Sequence, residues 1–337
     1  MAGPAIVSLR KIWDRGAHNA FTDLARFKGK WFCVFREADA HAGTEGKVRV
    51  LESADGFLWM SASLLSEDGV DLRDPKLSVT PGRKLMLLMG GTYARTGAGG
   101  QRQPRVAFSD DGRAWTRPQP VLGDGDWLWR VTWFRSRAYG ISYRLRNART
   151  WNIFFHQSTD GVDYGVICQL SVPGRPNEST VRFRPDGEAL ALVRREGGDA
   201  AGWIGTSRPP YRAWKWRSAG MRVGGPNFIL GPDGTSWAAC RQYARGGPVT
   251  VIARMSSAGL HPVLTLPSGG DCSYPGLVWH RGLLWASYYS SHEGKTSIYL
   301  ARVKPDLPAR AAKPPLRQRF PSDDLKALRA RTRTGED

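Results

Sequence analysis

The segment Ser179-Thr180-Val181-Arg182-Phe183-Arg184-Pro185-Asp186-Gly187-Glu188-Ala189-Leu190-Ala191-Leu192-Val193-Arg194 decides the fold of this 337-residue chain. Two strand-like runs, 179–183 and 189–193, flank a Pro-Asp-Gly turn of the kind that closes a β-hairpin. The second run is continuously apolar, which is typical of a strand buried on both faces. The segment therefore predicts the two inner strands of a β-sheet.

Similar hairpins recur along the chain at nearly constant spacing. The other five turns are Phe27-Lys28-Gly29-Lys30, Pro81-Gly82, Ser136-Arg137, Pro232-Asp233-Gly234 and Arg281-Gly282. Between Gly29, Gly82, Arg137, Gly187, Gly234 and Gly282 the intervals are 53, 55, 50, 47 and 48 residues. Repeats of this length made of short strands are typical of a β-propeller, in which equivalent strand ends converge on one axis. We therefore expect an all-β, six-bladed propeller over residues 1–304.

The two ends of the repeat region predict how the ring closes. The last repeat has no outer strand after residues 298–303, whereas the N-terminal run 5–12 is a strand without a blade of its own. Pairing these two strands would leave no long exposed sheet edge. Residues 305–337 follow as a basic C-terminal extension, in which residues 322–324 are expected to cap a short helix.

Composition limits the classes of partner and the location. The formal net charge is +19, but arginines are scattered through every repeat, which argues against a nucleic-acid-binding stripe and favours an anionic substrate. A mean hydropathy of −0.41 and the lack of a long apolar run argue against a membrane-spanning helix or a membrane partner. The first twelve residues lack a secretory h-region, so we expect a cytoplasmic protein, or a secreted one whose signal has been removed.

The four cysteines give no sign of a metal site or a disulfide framework. Cys33, Cys168, Cys240 and Cys272 form no CxxC pair, and Cys33 and Cys240 fall within predicted strands. We expect no metal and no cofactor.

Polar residues recur seven positions after the hairpin turns. Counting from each turn reaches Arg36, Met89, Arg144, Arg194, Arg241 and Tyr289. If these positions share one register, four arginines and a tyrosine meet at one end of the axis and form a cationic pocket that holds an anion. The competing interpretation is that the arginines stack or form ion pairs between blades.

A second motif, Ser-x-Asp-Gly-x-x-aromatic, follows the third strand of three repeats. It occurs at residues 53–59, 109–115 and 158–164. The aspartate can accept backbone N–H bonds within the turn, and the glycine can adopt a positive φ. We expect a structural role for this motif.

These turns resemble the Asp boxes of the sialidase (neuraminidase) superfamily, without the usual second Gly and Thr. Asn177-Glu178-Ser179 followed by Arg194 resembles the sialidase glutamate and its arginine, and residues 272–277 resemble the segment with the nucleophilic tyrosine. Residues 73–77 and 288–295 are similar to segments of bacterial sialidase-like proteins. The resemblance implies a six-bladed propeller and a glycoside hydrolase that acts on an acidic sugar or glycan.

The resemblance implies a role for each site residue. Tyr274 would be the nucleophile, Glu178 its base, and Arg194 a ligand of the substrate carboxylate. Asp39 matches the general acid by position, with His41 able to do similar work, and Asp74 competes with both. Arg73 belongs to an Arg-Asp-Pro string that holds the sugar in furanosidase propellers.

The chain also departs from the family pattern. Residues 18–23 replace the Arg-Ile-Pro segment of blade one, and Gly225-Pro226-Asn227 carries no arginine in blade five. Arg36 and Arg241 are expected to substitute, with Arg144 and Tyr289 beside them.

Simpler interpretations remain for the catalytic candidates. Glu178 can form a salt bridge, Tyr274 can pack between blades, and Asp74 can cap a turn. Two other functions stay open: a glycosidase for neutral sugars that uses Asp23 or Asp74 with Glu178, and a non-catalytic carbohydrate-binding propeller.

Overall fold

Each of the six predicted turns joins the first two strands of one sheet. The computed structural model describes residues 3–93 and 101–306, which form six four-stranded antiparallel sheets and no helix. The chain is therefore an all-β, six-bladed β-propeller, as predicted. No helix in the described residues is long and apolar enough to cross a lipid bilayer.

The first three blades each use four consecutive strands. Blade one contains β2 (His18–Phe27), β3 (Lys30–Ala38), β4 (Lys47–Ser53) and β5 (Met60–Leu65). Blade two contains β6 (Val70–Val79), β7 (Leu85–Tyr93), β8 (Arg102–Ser109) and β9 (Gln119–Pro120). Blade three contains β10 (Asp126–Phe134), β11 (Arg137–Leu145), β12 (Trp151–Ser158) and β13 (Gly165–Leu170).

The next two blades repeat the pattern, and the sixth is completed from the N-terminus. Blade four contains β14 (Pro176–Phe183), β15 (Ala189–Arg195), β16 (Ala201–Ser207) and β17 (Lys215–Arg222). Blade five contains β18 (Gly224–Leu230), β19 (Ser236–Ala244), β20 (Gly247–Ser256) and β21 (Gly259–Leu266). Blade six contains β22 (Cys272–His280), β23 (Leu283–Ser290), β24 (Ser297–Lys304) and, as its outer strand, β1 (Ala5–Trp13).

The N-terminal strand closes the ring, as predicted. Strand β1 pairs antiparallel with β24, from Ala5 opposite Lys304 to Trp13 opposite Ile298. The sixth sheet is thus assembled from both ends of the propeller sequence. The predicted extension beyond Asp306, with its helix, lies outside the described residues.

The core lies between neighbouring blades rather than at one centre. Trp31 of blade one stacks on Trp285 of blade six with ring centroids 4.1 Å apart. Phe134 of blade three stacks on Phe183 of blade four at 4.7 Å. This packing buries the inner strands on both faces, which explains their continuous apolar sequence.

The Ser-x-Asp-Gly turns are held by their own side chains. The Asp55 carboxylate accepts the N–H groups of Phe57 and Leu58 at 2.7 and 3.1 Å, and Ser53 Oγ accepts that of Gly56 at 2.8 Å. Asp111 and Asp160 accept the equivalent N–H groups in blades two and three. These bonds stabilise the link between the third and fourth strands, and the motif has the structural geometry that its sequence predicts.

Candidate active site

The first strand of every blade, called its inner strand from here on, is interrupted at the same point. Two residues of each inner strand stand opposite one residue of the second strand, which is a β-bulge. The six pairs are Phe21-Thr22, Asp74-Pro75, Trp129-Arg130, Asn177-Glu178, Gly225-Pro226 and Tyr274-Pro275. A bulge redirects a side chain relative to its strand, so each blade supplies one or two residues to a ring around the axis. We call this set the bulge ring.

Backbone conformation supports the equivalence of these positions in four of the six blades. Phe21, Asp74 and Tyr274 have positive φ angles of 62°, 48° and 51°, and Gly225 has 56°. A residue with a side chain rarely adopts such angles, and the cost is met only where surrounding contacts fix the conformation.

Tyr274 and Glu178 form the central hydrogen bond of the site. The Tyr274 hydroxyl donates to Glu178 Oε1 at 2.7 Å, although the residues are 96 positions apart. Each residue is 8% exposed, so the pair is almost removed from solvent. The structure therefore brings together the two residues that the sequence placed at the centre of the chemistry.

Arg194 contacts both members of this pair. Its Nη1 donates to Glu178 Oε2 at 2.7 Å and to the Tyr274 hydroxyl at 3.0 Å. Its Nη2 forms an ion pair with Glu196. The Gly225 N–H also donates to Glu178 Oε2, at 2.8 Å. Glu178 is thus both hydrogen-bonded to a tyrosine and paired with an arginine, so the two sequence interpretations of this residue coexist.

The charges set opposite protonation tendencies in the pair. Burial would raise the pKa of Glu178, but the Arg194 charge and the hydrogen bonds from Arg194, Tyr274 and Gly225 hold that pKa below its ordinary value. Burial and the nearby Glu178 charge raise the pKa of Tyr274 well above its ordinary value. The resting pair is therefore a carboxylate and a neutral phenol.

Gly225 explains why blade five carries no arginine in the ring. A Cβ atom at position 225 would lie 2.6 Å from the ring of Tyr274, which is closer than atoms can approach. The tyrosine ring occupies the space above the bare backbone. The Gly-rich start of β18 therefore permits a close approach at the axis.

Asp74 lies in the bulge ring with an incompletely satisfied carboxyl group. Its Oδ1 is buried and has no hydrogen-bond partner in the described part of the chain. Burial raises the pKa of Asp74 above the ordinary 3.8, and the Glu178 charge adds to this, while Lys76 and Arg73 oppose it. This is the environment in which a carboxyl group can retain a proton.

The floor beneath the ring is also charged. Lys76 is buried, its ammonium lies 4.6 Å from the centroid of the Trp129 ring, and burial lowers its pKa to about 8. Arg130 donates to Asp23 Oδ2 at 2.7 Å in an almost fully buried pair. Asp23 thus serves as the partner of Arg130.

The predicted arginine cluster does not share one register. Arg194 and Met89 stand opposite the bulges of their blades, whereas Arg36 and Arg241 lie one residue further along the strand and Arg144 three residues further. Differences in turn length between the repeats shift the count from the turns. The four arginines therefore stand at three different registers and do not form the single pocket that the sequence predicts.

Arg36 is the fully buried member. It donates to Asp71 through Nε at 2.7 Å and Nη2 at 3.1 Å, a bidentate pair, and also to the carbonyl of Ala40. Arg73 Nη1 donates to the same Asp71 at 3.0 Å and its guanidinium lies over the Phe21 ring. All of these Arg36 contacts are internal to the protein, so Arg36 has a structural role. Half-buried Arg73 lies at the rim of the site.

Arg241 and Tyr289 form the wall next to Tyr274. Arg241 donates to the Tyr289 hydroxyl at 3.0 Å and lies 5.4 Å from the Tyr274 ring centroid. The Tyr289 hydroxyl donates to Asp271 at 2.7 Å. Asp271 also accepts from Arg241 at 3.3 Å and is a residue that the sequence reasoning missed.

Two sequence candidates lie apart from this cluster. Arg144 is exposed and pairs with Asp126 at 2.5 Å, within its own blade. Asp39 is an exposed loop residue, and among the described residues no hydrogen bond or ion pair joins it to Tyr274 or Glu178. Phe21 and Trp129, which the bulge ring brings next to Tyr274, were not predicted in that role; their rings lie 5.0 and 5.6 Å from the tyrosine ring.

Comparisons with known proteins give a fold and no family. No family model and no curated protein matches the chain. A Dyadobacter fermentans protein of unknown function matches with a TM-score of 0.79 and 17% identity, over 90% of this chain and 100% of that one. A Trypanosoma rangeli sialidase bound to the inhibitor DANA matches at 0.67 and 11% identity, over 85% of this chain and 55% of the sialidase.

An enzyme for a different sugar also shares the fold. The α-L-arabinofuranosidase of Fusarium graminearum, a GH93 enzyme solved with arabinobiose, matches at a TM-score of 0.68 and 15% identity, over 89% of this chain and 98% of that chain. At these identities the likeness concerns the fold alone. The chain has the sialidase-like, six-bladed propeller fold.

Proposed function

We propose that this chain is a retaining exo-glycosidase of the sialidase type that hydrolyses an acidic, nonulosonic or related 2-keto sugar. The observation that carries the proposal is the 2.7 Å bond from the Tyr274 hydroxyl to Glu178, with Arg194 in contact with both. Tyrosine nucleophiles are known exceptions to the two-carboxylate pattern of glycosidases.

In the first step the Tyr274 oxygen bonds to the anomeric carbon while the bond from that carbon to the leaving oxygen breaks. The phenol proton passes to Glu178, and Asp74 donates its proton to the leaving oxygen. Because the pKa of the Tyr274 phenol is raised, its attack must be concerted with proton transfer to Glu178. Arg194 lies next to both reacting groups and stabilises the charge that moves between them.

In the second step water replaces the tyrosine at the anomeric carbon. The Asp74 carboxylate takes a proton from the attacking water, and Glu178 returns its proton to the departing Tyr274 oxygen. Both carboxyl groups and the tyrosine regain their starting state, and two displacements retain the anomeric configuration.

The substrate carboxylate would bind between Arg194 and Arg241, with Tyr289 beside them and Arg73 at the rim. Arg36 and Arg144 are not assigned to the substrate, because Arg36 is fully buried in a bidentate pair with Asp71 and Arg144 lies apart from Tyr274, paired with Asp126 of its own blade. Nothing in this scheme requires a cofactor.

The decisive experiment is turnover of aryl glycosides by wild type, Tyr274→Phe and Glu178→Gln. We expect each substitution to lower kcat/KM at least ~100-fold, because it removes the nucleophile or its base. Tyr139→Phe, on β11 away from the ring, is the matched control, and circular dichroism with a melting curve verifies folding. Wild-type rates in both site variants would exclude this mechanism.

A second function has one observation in its favour. Arg36, Arg144, Arg194 and Arg241 each have a carboxylate partner, so the site holds less uncompensated positive charge than the sequence suggests. The alternative is a glycosidase for neutral sugars that uses Glu178 and Asp74 as its two carboxyl groups, and the Fusarium neighbour with a similar fold is an α-L-arabinofuranosidase.

Substrate charge separates the two proposals. Aryl α-sialoside and aryl α-L-arabinofuranoside are compared for wild type and Arg241→Met. If the substrate is acidic, this substitution raises its KM at least ~10-fold, whereas turnover of a neutral glycoside is unchanged. Binding of sugars without turnover of any glycoside would identify a non-catalytic propeller instead.

A further inference from the structure

Two histidines and one aspartate meet at the edge of the site, outside the proposed chemistry. His18 is the first residue of β2, His41 lies in the loop between β3 and β4, and Asp271 directly precedes β22. His18 Nε2 lies 3.1 Å and His41 Nδ1 2.7 Å from Asp271 Oδ2. All three potential ligand atoms lie within 4.8 Å of one another.

These distances are close to those of a transition-metal site. Zinc binds imidazole nitrogen and carboxylate oxygen at about 2.0–2.2 Å, so two ligands of a tetrahedral ion are about 3.3–3.5 Å apart. The present separations are shorter by only a few tenths of an ångström for His18 and somewhat more for His41. Half-exposed His41 is in a loop and can make that adjustment.

The groups around the cluster orient the aspartate for such a role. The other carboxylate oxygen, Asp271 Oδ1, accepts the Tyr289 hydroxyl at 2.7 Å and Arg241 at 3.3 Å, and the Asp271 N–H donates to Ser291 Oγ at 2.9 Å. Oδ2 is thereby turned toward the two imidazoles. Hydrogen-bond partners that fix the orientation of the ligand side chains in this way are typical of metal centres.

Burial is asymmetric across the cluster. His18 is 9% exposed, and its Nδ1 is buried without a hydrogen-bond partner in the described residues. The His41 side chain is 54% exposed, so one side of the cluster faces solvent. Three protein ligands with an open side are the arrangement in which zinc keeps a position for water or another oxygen ligand.

We propose that His18, His41 and Asp271 bind one divalent transition-metal ion of the zinc type, with an open position for water or a substrate oxygen. Two imidazoles favour such ions over magnesium and calcium, which prefer oxygen ligands. The Phe21 ring lies 5.3 Å from the His41 ring and 5.0 Å from the Tyr274 ring, so it stands beside both sites. The ion therefore flanks the nucleophile and is suited to hold a hydroxyl or carboxylate of a bound ligand.

This site does not depend on the proposed hydrolase activity. The three ligands are separated by 23 and 230 positions in the sequence, so no local motif identifies them. The cysteine spacing that argued against a zinc site gives no information about histidine ligands.

The test is calorimetric titration of tag-free full-length protein with Zn²⁺ at pH 7.5, and with Mg²⁺ as the comparison. We expect one equivalent of Zn²⁺ to bind wild type, Mg²⁺ not to bind, and His41→Ala and Asp271→Asn to weaken the zinc affinity at least ~10-fold. His261→Ala, an exposed histidine on β21, is the matched control and should retain wild-type affinity.

A spectroscopic measurement covers the case in which a variant folds poorly. Co²⁺ bound to wild type should give the visible absorption of a low-coordinate site, and Zn²⁺ should displace it. Because His41 is an exposed loop residue, His41→Ala should keep the wild-type melting temperature yet lose this absorption. Absence of Zn²⁺ binding to wild type, or equal binding by wild type and His41→Ala, would overturn the proposal; neither result depends on finding the substrate.

Discussion

In the proposed mechanism Asp74 donates a proton, and burial favours the neutral form of its carboxyl group. Its pKa is raised above 3.8, so the protonated acid persists to higher pH than that of an exposed aspartate and is lost as the pH rises through the folded-state value. We expect Asp74→Asn to lower kcat at least ~100-fold for glycosides with poor leaving groups, and far less for aryl glycosides with good ones.

The same variant changes the pH profile in a defined way. Wild-type kcat should decline on the alkaline side as Asp74 loses its proton, and the asparagine variant should lack that decline. Asp39→Asn is the comparison, since Asp39 is the acid that position in the sequence suggests. A large loss of kcat in Asp39→Asn, together with a wild-type kcat in Asp74→Asn, would identify Asp39 as the general acid instead.

Gly225 gives a prediction that depends on space rather than on charge. In Gly225→Ala the new methyl group would overlap the Tyr274 ring at 2.6 Å and displace the proposed nucleophile. Misplacement by about 1 Å can cost roughly 100-fold in rate, so we expect kcat to fall ~10- to 100-fold.

The control for this substitution is another glycine of blade five. Gly234 has a φ of +80°, and an added Cβ there would contact nothing within 4 Å. Gly234→Ala therefore carries the backbone strain without the overlap. Equal kcat values in the two alanine variants would show that the contact with Tyr274 has no effect on the reaction.

At the scale of single residues, sequence reasoning proposed Tyr274, Glu178 and Arg194 because each lies in a segment with a family resemblance, and the structure places the three side chains in hydrogen-bond contact. It also proposed Arg36 and Arg144, but spacing from a turn does not reveal that each of these arginines has a carboxylate partner. Asp71 and Asp126 are those partners, and nothing in the sequence near either arginine identifies them.

At the scale of elements, the Ser-x-Asp-Gly turns have a predictable effect on acid stability. Backbone N–H bonds lower the pKa of Asp55, Asp111 and Asp160 below the ordinary value of 3.8. The folded state therefore binds fewer protons than the unfolded state. The stabilisation is fully present above pH ~4 and is lost as the pH falls through the lowered values.

We expect the triple variant Asp55→Asn, Asp111→Asn, Asp160→Asn to have a melting temperature that changes less than that of wild type between pH 5 and pH 3. Asparagine can still accept the backbone bonds but carries no charge to titrate. Asp163→Asn serves as the control, because this exposed carboxylate accepts none of the turn bonds. Parallel melting curves for the triple variant and wild type would contradict the assignment.

The bulges show where element-level reasoning from sequence ends. Strand alternation predicts which residues face the core, but a bulge adds one residue and reverses the alternation beyond it. Prolines 75, 226 and 275 are the second residues of three bulges, so a proline inside an inner strand was an available signal.

At the scale of the whole molecule, the fold depends on the pairing of β1 with β24. Leu9 lies opposite Ala301 and packs against the cluster that contains Leu284 and Val303. We expect Leu9→Asp to lower the free energy of unfolding by about 2 kcal/mol, because a charge replaces an apolar contact at the closure. Chemical denaturation measures the change.

Val7 provides the matched position on the same strand. Its side chain is 52% exposed, so Val7→Asp introduces the same charge without loss of a packed contact. That variant should unfold within about 0.5 kcal/mol of wild type. If both aspartate variants were equally stable, the closing strand would contribute little to the propeller.

The fold was predictable from sequence to the level of blade number and closure, since the hairpin turns recur in all six repeats. Contacts across the axis were not predictable from sequence. They join residues that are far apart in the chain, such as Glu178 with Tyr274 and His41 with Asp271, and these pairs meet only because of the curvature of the whole ring.

The bulge ring has a consequence for how such proteins diversify. Each of the six blades contributes one bulge to the ring. The residues at these bulges include Phe21, Asp74, Trp129, Glu178, Gly225 and Tyr274. Tyr274 contacts ring members of four other blades, so a substitution at one point also displaces its neighbours in the ring. A change of specificity is therefore expected to need coordinated substitutions at several bulges, while the six sheets keep their strand order.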